Sequence, residues 1–266
     1  MVTITGKSHI GRRSGNEDRF VADSHWGLAI VADGMGGPAA GEVAADIATT
    51  VITDKVDMGE SLIDAIVDAN QEIIKSAADG RGKKGMGTTV VVAHFHDHDF
   101  DLAWIGDSRA YLWNGELHQL SRDHSKVEAL LAKGDITMSE AATHPERNLI
   151  SRALGLSELK AANVPLLNTR IFRDEMLVLC SDGLIDAVSG PEIATIIADA
   201  TPARDSAALT GLVDTLIDRA LTNGGKDNIT VVIARADDDA PCRGDIVLPP
   251  AVSIANQDGR HDYFKP

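Results

Sequence analysis

Cysteine is almost absent: there are two in 266 residues. Cys180 lies in an apolar run and Cys242 in a polar one, so no disulfide framework is available, and the usage fits a reducing cytoplasm. Aromatic residues make up 4% of the chain, so a core must be built mainly from Val, Ile, Leu and Ala, and the 44% hydrophobic content is enough for a substantial one. No run of ~18 apolar residues occurs, which excludes a membrane-spanning helix. Met1–Arg13 has no apolar stretch of the kind a signal peptide needs. Basic residues are outnumbered 25 to 40, for a formal net charge of -15, and no dense Lys/Arg run is present. A chain this acidic repels nucleic acid and anionic membrane, so neither is expected as a partner. Zinc-type Cys/His spacing is missing as well. His94, His96 and His98 alternate, but around the acidic turn His96–Asp99, and read as an exposed hairpin tip. His124 and His144 read as structural or solvent-facing.

What is present is organised around Leu28–Gly37. An apolar run, Leu28–Ala32, reads as a buried strand that ends on Asp33 and then on Gly34, Gly36 and Gly37. A carboxylate at the lip of a sheet, beside glycines that let other groups approach the backbone, can serve as a ligand pair for a hard cation. The same residues could also make a simple turn whose Asp caps the next helix.

Around this stretch the pattern alternates between strands and amphipathic helices. Thr3–His9, Phe20–Asp23 and Trp26–Asp33 read as strands. Val43, Ile47 and Val51, and then Leu62, Ile66 and Ile73, have helical spacing. Thr88–Phe95 and Phe100–Ile105 read as a strand pair. Ala110–Trp113 and Glu116–Leu120 form a hairpin about Asn114-Gly115. Residues 121–155 are polar and interrupted, an excursion over the surface with helices near Lys126–Lys133 and Ser139–Thr143. Met176–Cys180 is a strand, Pro191–Ala198 and Leu209–Leu221 are helical, and Ile229–Ala234 is the last strand. Residues 237–266 read as an irregular C-terminal tail following a single domain, 1–236.

Five acids share one setting. Asp33, Asp107 and Asp182 each close an apolar run and sit beside a glycine. Asp227 stands in a Gly-Gly turn just before an apolar run, and Asp18 follows a glycine-containing turn with Arg12 and Arg13 upstream. If the strands share a sandwich, these ends can meet at one rim. Divalent cations would offset the repulsion, and an all-oxygen donor set points to Mn²⁺ or Mg²⁺.

In order and with ordinary spacing, the chain carries Arg13-Ser14-Gly15-Asn16-Glu17-Asp18, Val31-Ala32-Asp33-Gly34-Met35-Gly36-Gly37, Gly41-Glu42, Gly87-Thr88-Thr89, Gly106-Asp107-Ser108-Arg109, Thr143-His144-Pro145-Glu146-Arg147-Asn148, Ser181-Asp182-Gly183-Leu184 and Gly225-Lys226-Asp227-Asn228-Ile229-Thr230. From about Gly11 to Arg235 it resembles the bacterial form of the metal-dependent protein phosphatases, the protein phosphatase 2C family. The resemblance implies an α+β fold, a four-layer α-β-β-α sandwich of two packed antiparallel sheets flanked by helix pairs. It implies a serine/threonine protein phosphatase that uses Mn²⁺ or Mg²⁺ and works by direct attack of a metal-bridging water. There would be two core ions and a third, weaker one. Asp33 would bridge the two core ions, the Gly34 carbonyl would bind one of them, and Asp182 and Asp227 would hold the other. Asp18 and Glu17 would act close by, Arg13 would bind the substrate phosphate, and Asp107 would help Asp182 hold the third ion. Residues 121–155 would be a flap. The partners would be phosphorylated proteins, the targets of a serine/threonine kinase. Met35 and Pro38 stand where relatives carry a histidine, which leaves the general acid open.

Two other functions compete with this one. A phosphatase-like binding module would have lost acids such as Asp33, Asp182 or Asp227. A hydrolase of small phosphate esters would keep them and differ in its groove. For Asp107 a plain alternative is pairing with Arg109 or capping a backbone amide.

Overall fold

The computed structural model describes residues 2–37, 40–200 and 206–243, with two short strands in the remaining C-terminal stretch. The first strands are β1 (Val2–His9), β2 (Arg19–Asp23), β3 (Leu28–Ala32) and β4 (Gly34–Met35), followed by helices α1 (Ala40–Asp57) and α2 (Leu62–Ala78). Then come β5 (Gly87–Thr88), β6 (Val90–His96), β7 (Asp99–Ile105), β8 (Arg109–Trp113) and β9 (Leu117–Gln119). Helices α3 (Lys126–Lys133) and α4 (Met138–Ala142) lie in the polar excursion. The chain continues with β10 (Leu166–Arg170), β11 (Met176–Cys180), α5 (Asp182–Ile185), α6 (Gly190–Ala200), α7 (Ser206–Thr222) and β12 (Ile229–Ala236). The C-terminal pair is β13 (Ile254–Ala255) and β14 (His261–Asp262).

Two five-stranded sheets carry the fold, in the orders β1-β12-β11-β8-β9 and β10-β7-β6-β3-β2. Every neighbouring pair in them is antiparallel. Side chains alternate between the two faces of a strand. In β3, Ala29 and Val31 face the core between the sheets, while Leu28 and Ile30 face α1 and α2. In β12, Val232 and Ala234 point between the sheets, while Val231 and Ile233 pack under α5, α6 and α7. Both faces are covered, which is why these strands read as unbroken apolar runs. Each fully buried Val or Ile contributes roughly 1.5–3 kcal/mol. The layers are therefore helix pair, sheet, sheet and helices: the expected α-β-β-α sandwich.

Local signals fix the helix ends. Ser61 caps α2 by accepting from the Asp64 amide, and Ser125 caps α3 by accepting from the Glu128 amide. Thr137 and Glu140 form a reciprocal capping box on α4. No helix among the described residues is long and apolar enough to cross a membrane.

The pairing register brings the functional strand ends to one rim. Arg19 pairs with Ala32, Val31 with Val91, and Val90 with Ile105 in one sheet. In the other, Cys180 pairs with both Val231 and Arg109, and His9 with Ile229. Asp18, Asp33, Asp107, Asp182 and Asp227 each lie within two residues of these pairs, at the same ends of the strands.

Two local readings are corrected, and one unassigned stretch proves to be a strand. Thr88–Phe95 is not one strand: Gly87–Thr88 turns away to pair with Gly34–Met35, because the Thr88 and Thr89 polar groups are taken by Asp33. His98 is not at an exposed tip. It is 9% exposed, its carbonyl accepts from the Ile171 amide, and Asp97 takes the left-handed turn position at φ 64°. Leu166–Arg170 adds an edge strand with no apolar signature, because its side chains are at most half-buried.

Residues 237–242 carry no helix or strand, but with Arg243 they pack on the body. Ala240 is fully buried. Arg173 donates from its amide to the Pro241 carbonyl at 3.0 Å and from Nε to the Ala240 carbonyl at 3.2 Å. The buried Glu175 carboxylate accepts from the Phe172 amide at 3.0 Å and from Arg243 Nε at 2.6 Å, and the Arg243 guanidinium sits 4.7 Å above the Phe172 ring. A chain ending at Asp238 removes Arg243 and uncovers Glu175, at a cost of about 1–3 kcal/mol. It is expected to melt several degrees below a chain ending at Arg243. Equal melting temperatures for the two truncations would show that this contact contributes nothing.

Candidate metal centre

Asp18 opens β2 from the loop below and is 2% exposed. Its Oδ2 accepts from Ser181 Oγ at 2.8 Å and from Thr230 Oγ1 at 2.6 Å, so hydroxyls at the ends of two neighbouring strands of the other sheet, β11 and β12, grip it. Arg19 donates to the Asn16 and Asp18 carbonyls and reaches Glu42 on α1 at 2.5 Å, which ties this loop to the helix layer.

Asp33 follows β3 and is held through its backbone. Its amide donates to Thr89 Oγ1 at 3.1 Å, and its carbonyl accepts from the Thr89 amide and the Thr88 hydroxyl, both at 2.9 Å. Gly34 next to it must be glycine: a Cβ there would sit 2.2 Å from the Gly41 carbonyl oxygen and 2.7 Å from that of Glu17. That close approach packs Gly34 against the start of α1, directly beside Asp33.

Asp182 begins α5 directly after β11. Asp227 precedes β12, and its position depends on Asn228. The Asn228 side chain donates to the Ile10 and Gly15 carbonyls and accepts from the Glu17 amide, all at 2.8–2.9 Å. This hub joins the Arg13 loop, Glu17 and Asp227. Arg13, with 59% of its side chain exposed, donates from Nη2 to Asp227 Oδ2 at 2.5 Å. Asp107 follows β7. Arg109 does not pair with it: its Nε and Nη2 fork onto Asp123 at 2.7–3.0 Å. Pairing with Arg109 is therefore not what the fold adopts, whereas the Asp107 carboxylate does accept from its own backbone amide, the other half of the plain alternative.

The carboxylates raise one another's pKa. Burial, then the charges of Asp18, Asp182 and Asp107, hold Asp33 well above the usual carboxylate range. Burial, then Asp107 and Asp227, push Asp182 up to about 7. Burial pushes Asp18 up to about 6 against the pull of the Thr230 and Ser181 hydroxyls. Burial, then Asp123, pushes Asp107 up to about 6. Asp18 Oδ1 and Asp182 Oδ1 are buried with no hydrogen-bond partner.

Among the described residues no three acids or histidines already close into a finished cage. The donor set nevertheless fits hard divalent cations. It is all oxygen and over-supplied with negative charge, and it holds two orphaned buried carboxylate oxygens of the kind that a cation satisfies. The structure thus brings Asp18, Asp33, Gly34, Asp107, Asp182 and Asp227 to one rim, with Arg13 and Glu17 beside them. Met35 is at this rim too, and Pro38 lies outside the described residues. Residues 121–155 cross the same end: Leu154 and Thr88 exchange amide-to-carbonyl bonds at 2.8 and 3.1 Å, and Asn148 donates to Asp186.

Sequence reading assigned no role to the groups that hold the acids in place: Ser181, Thr230, Thr88, Thr89, Asn228 and Asp123. The available signal was a short hydroxyl or amide side chain at the end of an apolar run, next to an Asp or Gly.

Three comparisons with known proteins agree on one family. The profile of the family described as Protein phosphatase 2C matches residues 5–217. The serine/threonine phosphatase stp of Listeria monocytogenes is 35% identical over 242 residues, covering 85% of this chain and 92% of that protein. The serine/threonine protein phosphatase PstP of Mycobacterium tuberculosis is 38% identical over 230 residues, and the match spans 84% of this chain and 42% of PstP. A crystal structure of that phosphatase superposes with a TM-score of 0.79 at 34% identity, covering 89% of this chain and 99% of the solved one. Another, of the PstP catalytic domain in complex with two manganese ions, gives 0.77 at 33% identity, with the same coverage.

Mutual repulsion among these acids makes a prediction for the cation-free protein. In EDTA, Asp33→Asn and Asp182→Asn are expected to melt above the wild type, because each removes a crowded charge. With Mn²⁺ the order is expected to reverse, since a ligand that binds only the native state stabilises it. Thermal melts with and without Mn²⁺ measure both. Variants that melt below the wild type in EDTA would show these side chains to be structural anchors.

Proposed function

The chain belongs to the protein phosphatase 2C family, and on that premise we propose that it is a Mn²⁺- or Mg²⁺-dependent phosphatase of phosphoserine and phosphothreonine in proteins, working in the cytoplasm opposite a serine/threonine kinase. The observation that carries this reading is the rim of mutually repelling carboxylates with two orphaned oxygens. In this reading Asp33, the Gly34 carbonyl, Asp182, Asp227 and Asp18 hold two divalent cations. Asp107 with Asp182 holds a weaker third. Bound there, the cations supply water acidified for attack at phosphorus and charge that neutralises the phosphoryl oxygens.

The chain's own groups do the rest. Arg13 is exposed at the surface and presents a fork of donors that matches two phosphate oxygens. Its bond to Asp227 keeps it at the mouth of the site, so a phosphate and Asp227 share one guanidinium. Asp18 stays fixed by Ser181 and Thr230 and accepts any proton that its buried second oxygen can take. The buried threonines behind Asp33 hold its backbone and exclude water from that side. Residues 121–155 form the flap in this reading, and 1–236 the phosphatase domain.

Phosphate release from a phosphothreonine peptide is expected to stop in EDTA and to return with Mn²⁺ or Mg²⁺. Full activity after exhaustive chelation would overturn the reading. Asp33→Asn is expected to lower kcat by more than about a hundredfold, beyond the usual loss for a residue that merely supports a ligand.

Arg13→Ala is expected to raise KM for the peptide with little change in kcat, the mark of lost uniform binding. Mn²⁺ binding should stay at least as tight, because the guanidinium no longer competes for Asp227. Loss of Mn²⁺ binding in this variant would give Arg13 a structural role instead.

A further inference from the structure

Four consecutive residues at the root of the 121–155 excursion grip the strand ends on either side of Asp107. Ser121 Oγ accepts from the Ala110 amide at 2.9 Å. Trp104 Nε1 donates to the Arg122 carbonyl at 2.8 Å. Asp123 takes the Arg109 fork. His124 makes the most specific contact of the four. Its amide donates to the Gly106 carbonyl at 2.8 Å, and its ring Nδ1 accepts from the Gly106 amide at 3.1 Å. One histidine thus takes both backbone groups of the residue before Asp107.

Gly106 sets where the next side chain points. It stands at φ +110°, where a side chain is strained, and a Cβ would meet Thr89 at 2.6 Å. Thr89 in turn shares a 2.7 Å hydroxyl bond with Ser108 and accepts from the Asp33 amide. The Asp107 loop is therefore sandwiched between Thr89, on the Asp33 side, and His124, on the excursion side. Among the described residues the Asp107 carboxylate takes no side-chain hydrogen bond, and Arg109 is committed to Asp123. Its placement toward Asp182 depends on the loop backbone, including its own amide, which donates to the carboxylate.

We propose that His124 is a positioning residue for Asp107: by holding both backbone groups of Gly106 it sets where the Asp107 carboxylate meets Asp182, and so tunes the weak third cation site. The bond from the Gly106 amide requires a bare Nδ1, hence a neutral ring with its proton on Nε2. Burial agrees, pushing the His124 pKa down to about 4. The His124 carbonyl also accepts from the Ser151 amide at 2.7 Å, so the same residue ties the returning end of the excursion to the Asp107 loop. Of the four gripping residues, His124 is the one bonded to the residue next to Asp107.

The proposal rests on Asp107 being a ligand of the weak cation, and the experiment separates the two ideas. Mn²⁺ binding isotherms, from calorimetry and from the free-ion resonance signal, are measured for the wild type and for Asp107→Ala, His124→Ala, His124→Asn and His124→Gln, beside kcat at low and high Mn²⁺. Asp107→Ala is expected to lose the weak site and keep the tight ones. His124→Ala is expected to weaken that site by about 10- to 100-fold, the usual range for a residue that orients a ligand, with kcat recovering at high Mn²⁺. Asn carries an acceptor where Nδ1 stands and is expected to restore wild-type binding. Gln, whose acceptor is one bond further out, should behave like Ala. A His124→Ala protein that melts lower yet binds the weak ion as the wild type does would overturn the proposal. So would equal behaviour of the Asn and Gln variants, which also serve if the Ala variant fails to fold. A weak site untouched in Asp107→Ala would overturn the ligand reading itself, and the proposal with it.

Discussion

Like charges at one rim are the condition that the rest of this fold has to meet. Two carboxylates about 4 Å apart at a partly buried site repel by on the order of 4 kcal/mol, and here burial raises Asp18, Asp33, Asp107 and Asp182 together. Left on flexible loops, these groups would move apart into water. They stay because Asp33, Asp107, Asp182 and Asp227 are fixed to the ends of strands buried in apolar layers, and Asp18 is gripped by Ser181 and Thr230.

The holders of the acids are mostly uncharged. Ser181 and Thr230 reach Asp18, Thr88 and Thr89 hold the Asp33 backbone, and Asn228 ties three loops together. Hydroxyls and amides can fix a carboxylate without cancelling its charge, which keeps the rim negative enough to attract divalent cations. The nearby cations behave differently: Arg13 is at the surface and exchangeable, and Arg109 is neutralised by Asp123. A site of this kind trades stability in the cation-free state for function.

The C-terminal residues and the polar excursion are anchored by different means. At the end of the sandwich away from the carboxylates, Arg243 closes over Phe172 and Glu175. At the carboxylate end, residues 121–125 are attached mainly through backbone groups of the Asp107 loop. Backbone contacts of this sort depend on chain path rather than residue type, so they leave little trace in composition or periodicity.

Much of the molecule was legible in the sequence. β3, β7, β11 and β12 announced themselves because both of their faces are buried, and α1, α2 and α7 because only one of theirs is. The acids beside glycines marked the strand ends that matter, and the ordered motifs identified the family. Sequence could not separate Thr88 from the strand that follows, since threonine suits a strand and only Asp33, 55 residues away, diverts it. Nor could it show that Arg109 turns to Asp123 rather than Asp107, that His98 is buried, or that Leu166–Arg170 is an edge strand. What the sequence determined by itself was local: periodicity, caps, and which residues could be ligands. Which of those residues meet, and in what orientation, was decided by strand register and by the contact of two sheets. Those contacts join positions that are, like Asp18 and Thr230, 212 residues apart in the chain, and no local pattern encodes them.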